Sequence, residues 1–145
     1  MSVLPEWMSA TKVGEGTIGV DGKEYTYHLL VRSLEPRLPG FVGFSGGEHL
    51  FISEEVPEDF RPYMLAHEVR EFVDLKDAGY GRCRLALTLE LEEVPRNIYE
   101  AYLAYRLQFF RNLVAFYAGS DDPKVSDLKG EILRSLQYIE KMSQL

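Results

Sequence analysis

The residues best suited to chemistry lie together in His67-Glu68-Val69-Arg70-Glu71. On an α-helix, residues four apart stand one above the other, so His67 and Glu71 can bring an imidazole nitrogen and a carboxylate oxygen to one point. Those donors suit a metal ion. Zinc takes His nitrogen and carboxylate oxygen at about 2.0–2.2 Å, and a catalytic site adds a third protein ligand and leaves one position open for water. Glu68 would then stand beside that water as general base, taking the proton whose pKa the metal lowers. The other reactive side chains are less pointed. Cys83 is the single cysteine, so it forms no internal disulfide, and no CxxC pair or Cys/His cluster reads as a structural zinc site. A small buried thiol is the expectation for it. His28 and His49 fall in strand-like sequence, His28 packing among Tyr25, Tyr27 and Leu30, and either could approach His67 in space.

The elements that must position these groups begin with a sheet. Thr17 to Val20 and Glu24 to Val31 are β-rich runs joined by Asp21-Gly22, a strong hairpin signal because both turn positions need positive φ. A second hairpin is expected from Phe41-Val42-Gly43-Phe44 through Ser45-Gly46-Gly47-Glu48 to His49-Leu50-Phe51-Ile52-Ser53, with Pro36 and Pro39 marking the loop before it. From Asp59 to Lys76 the period becomes helical, with Leu65, Val69, Phe72 and Val73 on the side that faces the sheet. His67 and Glu71 fall on another stripe beside Phe60, Met64 and Leu75, so this helix has two occupied sides. Residues 84–94 carry alternating leucines, which argues for a strand. Their Leu, Ala and Glu content and the closing Pro95 argue for a helix, and the helical reading is favoured. Asn97 and Glu100 resemble a capping box before an apolar helix that runs to Gly119. Asp122-Pro123 opens a last helix with Val125, Leu128, Ile132, Leu136 and Ile139 on one stripe and Lys124, Asp127, Glu131 and Lys141 on the wet side. The expected fold class is α+β: an N-terminal antiparallel sheet of about four strands, then about four helices, in one domain over residues 1–145.

The stretch from Phe51 to Glu68, with Ala66-His67-Glu68 at its end, resembles the strand, short loop and active-site helix of zincin-type metallopeptidases. Their helix carries HExxH, and a small residue often precedes the first His. Here the second His is Glu71, giving HExxE. The resemblance spans roughly residues 49 to 94 and implies a zincin-like fold, a strand along a substrate cleft, and a third ligand on a later helix. Glu90 occupies about the right place for that ligand, with Glu92, Glu93 and Cys83 as competitors. A set of His67, Glu71 and Glu90 would suit iron or manganese at least as well as zinc. The substrate, small molecule or peptide, stays open at this stage.

Composition narrows the partners. Hydrophobic residues make up 46% and charged residues 27% of the 145, which fits a globular chain able to build a core. A formal net charge of −7 without a basic patch argues against nucleic acid. No apolar run approaches the roughly 20 residues of a bilayer span, and the N-terminus lacks the pattern of a signal peptide, so a cytoplasmic protein is expected. The aromatic helix around Tyr99, Tyr102, Tyr105, Phe109, Phe110, Phe116 and Tyr117 is apolar nearly all round. Its burial could call on a second subunit, a homodimer packed through the C-terminal helices. That supplies the alternative to a metal-dependent hydrolase or a degenerate zincin-like protein: a non-catalytic interaction domain, in which His67 and Glu71 form an ordinary salt link.

Overall fold

The computed structural model describes residues 3–31, 38–45, 48–79 and 81–145. A short helix, α1 (Glu6–Thr11), opens the chain and had no counterpart among the expected elements. Strands β1 (Lys12–Val20) and β2 (Lys23–Leu30) form the first hairpin. Asp21 and Gly22 turn it with φ of 50° and 85°, the left-handed pair that a two-residue turn between twisted strands requires. Strands β3 (Val42–Ser45) and β4 (His49–Ser53) pair antiparallel as the second hairpin.

The sheet is mixed rather than wholly antiparallel. Its order is β1-β2-β4-β3, and β4 runs parallel to β2. Turn residues determine the pairing inside each hairpin, but the pairing between hairpins depends on where the connection after β2 leads. It leads to the far edge, so β3 takes the outer position and β4 returns between β3 and β2. Pro36 in that connection, and Gly46 and Gly47 of the second turn, lie outside the described residues.

A 3-10 turn at Glu58–Phe60 leads from β4 into α2 (Arg61–Val69). Arg61 ties that entry down: its Nε donates to the Val56 carbonyl at 2.9 Å and Nη2 to the Glu54 carbonyl at 3.1 Å. Met64, Leu65 and Val69 of α2 join Leu50 and Ile52 of β4 and Val20 of β1 in the core. Past Val69 the helix widens into a π turn, Arg70–Asp74, with the Leu75 N–H donating to the Arg70 carbonyl at 2.8 Å. Such single wide turns gather at functional sites.

Residues Arg82–Glu93 form a helix, α3. Its buried side is Cys83, Ala86, Leu87, Glu90 and Leu91, a helical spacing of three and four, whereas Leu85 and Leu89 of the alternating series point outward. Helices α4 (Tyr99–Tyr117) and α5 (Ser126–Ser143) complete the chain and pack on each other, with α5 also against α3. The expected capping box is not formed. A 3-10 turn at Arg96–Ile98 precedes α4, whose N-cap is Ile98 without a side-chain cap. Asp122 does cap the turn before α5, its Oδ1 accepting from the Lys124 N–H at 2.9 Å. Among the described residues no helix is long and apolar enough to cross a membrane.

Candidate metal centre

Helix α3 lies against α2 so that two of its residues, seven apart, reach the two nitrogens of one imidazole. His67 is 2% exposed. On its Nε2 side stand Glu71 Oε2 at 3.2 Å and Cys83 Sγ at 3.7 Å. On its Nδ1 side stands Glu90 Oε1 at 2.8 Å, a charge contact whose direction falls off the line of a hydrogen bond. His67, Glu71 and Cys83 thus present a nitrogen, an oxygen and a sulfur within 4.8 Å of one another.

Glu90, expected as the third ligand, is not part of that group. Its carboxylate is fully buried and held from behind by Arg106 of α4, Nε to Oε2 and Nη2 to Oε1, both at 2.8 Å. The Tyr102 hydroxyl also donates to Oε2. Burial raises the Glu90 pKa, but the Arg106 charge and its hydrogen bonds outweigh this and bring it to about 2, so the carboxylate is ionised. Of the other competitors, Glu93 pairs with Arg70 and Glu92 is exposed. The third donor that the structure brings to Nε2 is Cys83.

Neighbouring groups hold each donor. The Ser135 hydroxyl of α5 donates to Cys83 Sγ at 3.1 Å. Glu131 of α5, expected on the wet side of its helix, instead turns inward and accepts from the backbone N–H of Gly81 and, at 3.2 Å, from that of Cys83. It thereby satisfies free donors at the start of α3. Arg70 anchors the π turn that carries Glu71. Its Nε and Nη2 reach the two oxygens of Asp21 at 3.1 and 3.0 Å, and its Nη1 meets Glu93. The residue that turns the first hairpin therefore also fixes the end of α2.

Two of the three donor separations match those of a tetrahedral zinc site. Tetrahedral ligands at ordinary zinc bond lengths lie about 3.3 Å apart for nitrogen and oxygen and about 3.6 Å for nitrogen and sulfur. The observed 3.2 and 3.7 Å are close to both. The group opens onto a cavity of about 450 Å³ between β3, α2, α3, α4 and α5, which Glu68 and Arg106 also line. Burial and the Glu71 carboxylate push the Glu68 carboxyl up to about 8 against the opposing pull of His67 and Arg106. Burial also acts to lower the His67 pKa, but its contacts with Cys83, Glu71 and the charged Glu90 prevail and hold it well above the ordinary value.

Compared with known protein families, with curated proteins and with solved structures, the chain matches none. His28 and His49 lie near each other, ring centres 6.3 Å apart and planes tilted by 52°, and do not line the cavity that His67 lines. Arg106 and Ser135 were not among the expected site residues, and Tyr102 was expected only as part of the aromatic helix. Arg106 had a signal of its own: a charge on the stripe Tyr102, Leu103, Arg106 and Phe110, which is otherwise the buried face of α4.

Proposed function

We propose that this chain is a metal-dependent hydrolase in which His67, Glu71 and Cys83 hold a zinc ion and Glu68 is the general base. The convergence of three unlike donors on the Nε2 side of a buried imidazole, at the floor of a cavity, carries this reading. A thiolate in the set favours zinc over the iron or manganese that two carboxylates would suit. The zinc supplies Lewis-acid activation of the bond to be cleaved. Glu90 keeps His67 oriented through Nδ1, the outer contact that metal-binding histidines usually make to a carboxylate. Glu68, the chain neighbour of His67 and a lining residue of the same cavity, would take the proton of the attacking water. The resemblance of Ala66-His67-Glu68 to the zincin helix supports the same assignment, with Cys83 taking the place of the expected third ligand.

Elemental analysis of the purified, untagged protein tests this. Near one zinc per chain is expected, lost in His67→Ala, Glu71→Gln and Cys83→Ser while circular dichroism shows the fold retained. A wild-type protein that holds no metal after incubation with zinc refutes the proposal.

A further inference from the structure

The cavity above the three donors is sharply divided in character. Its floor carries His67, Glu68, Glu71, Cys83 and Arg106, and among the described residues none of the others that line it is charged. The walls are aromatic and aliphatic, among them Trp7, Phe44, Phe109, Leu113, Tyr117 and Leu128. Edge-to-face packing of Trp7 on Phe51, with ring centres 5.3 Å apart, stiffens one side. A volume of about 450 Å³ is within the range of small-molecule sites. A ligand bearing charges or unpaired amides along its length would lose hydration against these walls without replacement, whereas an apolar chain loses nothing.

We propose that the substrate is an apolar acyl compound, its acyl or arylalkyl chain filling the aromatic cavity and its carbonyl carbon placed at the His67, Glu71 and Cys83 floor. Hydrolysis adds the oxygen of water to that carbon and breaks the acyl bond. One proton of the water leaves on the released alcohol or amine, and the acid formed gives up the other, so that an apolar carboxylate is the other product. The head of this assignment rests on the zinc reading; the tail rests on the walls alone.

The product class supplies the probe. Acetate, hexanoate and decanoate are titrated into the zinc-loaded protein by calorimetry, while the emission of Trp7, the single tryptophan, is followed. Affinity should tighten roughly fourfold per methylene from hexanoate to decanoate. Decanoate should shift the Trp7 emission, and acetate should not. Leu128 is 43% exposed and tolerates a polar side chain, so Leu128→Asn should fold; Leu113→Asn probes the part of the wall that α4 supplies. Each should weaken decanoate binding roughly tenfold, with zinc content and acetate binding unchanged. Affinity that does not depend on chain length, or that survives both substitutions, overturns the proposal while leaving the zinc site standing. If the protein instead takes up no zinc, the function proposed above fails, and 1-decanol reports on the tail by itself. A shift in Trp7 emission then upholds the apolar cavity, and its absence overturns that too.

Discussion

Glu90 and Arg106 are 0% and 1% exposed, so each depends on the other for the hydration it has lost. Glu90→Gln keeps the shape and removes the charge, leaving a buried guanidinium with an amide as its partner. Removing one member of a buried pair costs about 3–5 kcal/mol, because the uncompensated charge remains inside. With an unfolding entropy of about 2.1 cal/mol/K per residue, this 145-residue chain has roughly 0.3 kcal/mol/K at its midpoint. The expected fall in Tm is then about 10–16 °C. Arg106→Met should act similarly, since it leaves the ionised Glu90 with Tyr102 and His67 only. The double variant carries no orphaned charge at this pair and should cost well under the sum, a coupling of at least about 1.5 kcal/mol. Calorimetric melts of the four proteins give the cycle. Single losses below about 1 kcal/mol, or additivity within about 0.5 kcal/mol, would show that the pair is not desolvated as argued here.

The Arg70 hydrogen bonds lower the Asp21 pKa below its ordinary value of about 3.8. A depressed carboxylate stabilises the fold above its unfolded pKa and loses that contribution as pH falls through the folded one. Urea midpoints should therefore show wild type ahead of Asp21→Asn at pH 7 by less than about 1 kcal/mol, since Asp21 is half exposed, with the gap closing below pH 4. Equal gaps at both pH values count against the Arg70 anchor. Glu131→Ala removes the acceptor for Gly81 and Cys83 at the start of α3 and should cost about 1 kcal/mol, as lost helix caps do. It should also weaken zinc uptake by releasing Cys83, measured by competition with a chromogenic chelator; a variant that melts and binds as wild type does removes Glu131 from the centre.

What could be read from the sequence was what depends on near neighbours. The Asp21-Gly22 turn, the helical stripe through Leu65 and Val69, and the pairing of His67 with Glu71 all follow from spacings of two to four residues. The direction of β4 beside β2 does not, because it depends on a crossover whose path no local signal dictates. Residues 84–94 mislead through their leucines, since the alternating series leaves Leu85 and Leu89 in water. The apolar helical series Cys83, Ala86, Leu87 and Leu91 contains Glu90, and that of α4 contains Arg106. A charge on each of two buried stripes asks for a partner, and these two supply each other. The approach of Cys83 to Nε2 was legible only as one alternative among several, because it requires knowing how α3 crosses α2.

A fold designed only for stability would have little reason to place Glu90, Arg106 and Tyr102 in its interior. Well-packed apolar residues of similar size often do as well as, or better than, a buried ionic group. The arrangement makes sense if its purpose is to hold His67: α4 positions Glu90 through Arg106 and Tyr102, and Phe60 and Tyr63 pack edge-on against the Tyr102 ring at 5.1 and 5.7 Å. Glu90→Leu/Arg106→Met/Tyr102→Phe separates the two purposes. The triple variant should melt within a few degrees of wild type or above it, because Arg106 and the Tyr102 hydroxyl leave together with Glu90 and only His67 Nδ1 loses a partner. Its zinc affinity should fall by about 10- to 100-fold, since the imidazole loses the carboxylate at Nδ1. Chelator competition and calorimetry on the same samples read both. A triple variant that binds zinc as tightly as wild type would make the buried network a matter of packing, and one that unfolds would make it a pillar of the fold; the site reading requires stability kept and affinity lost.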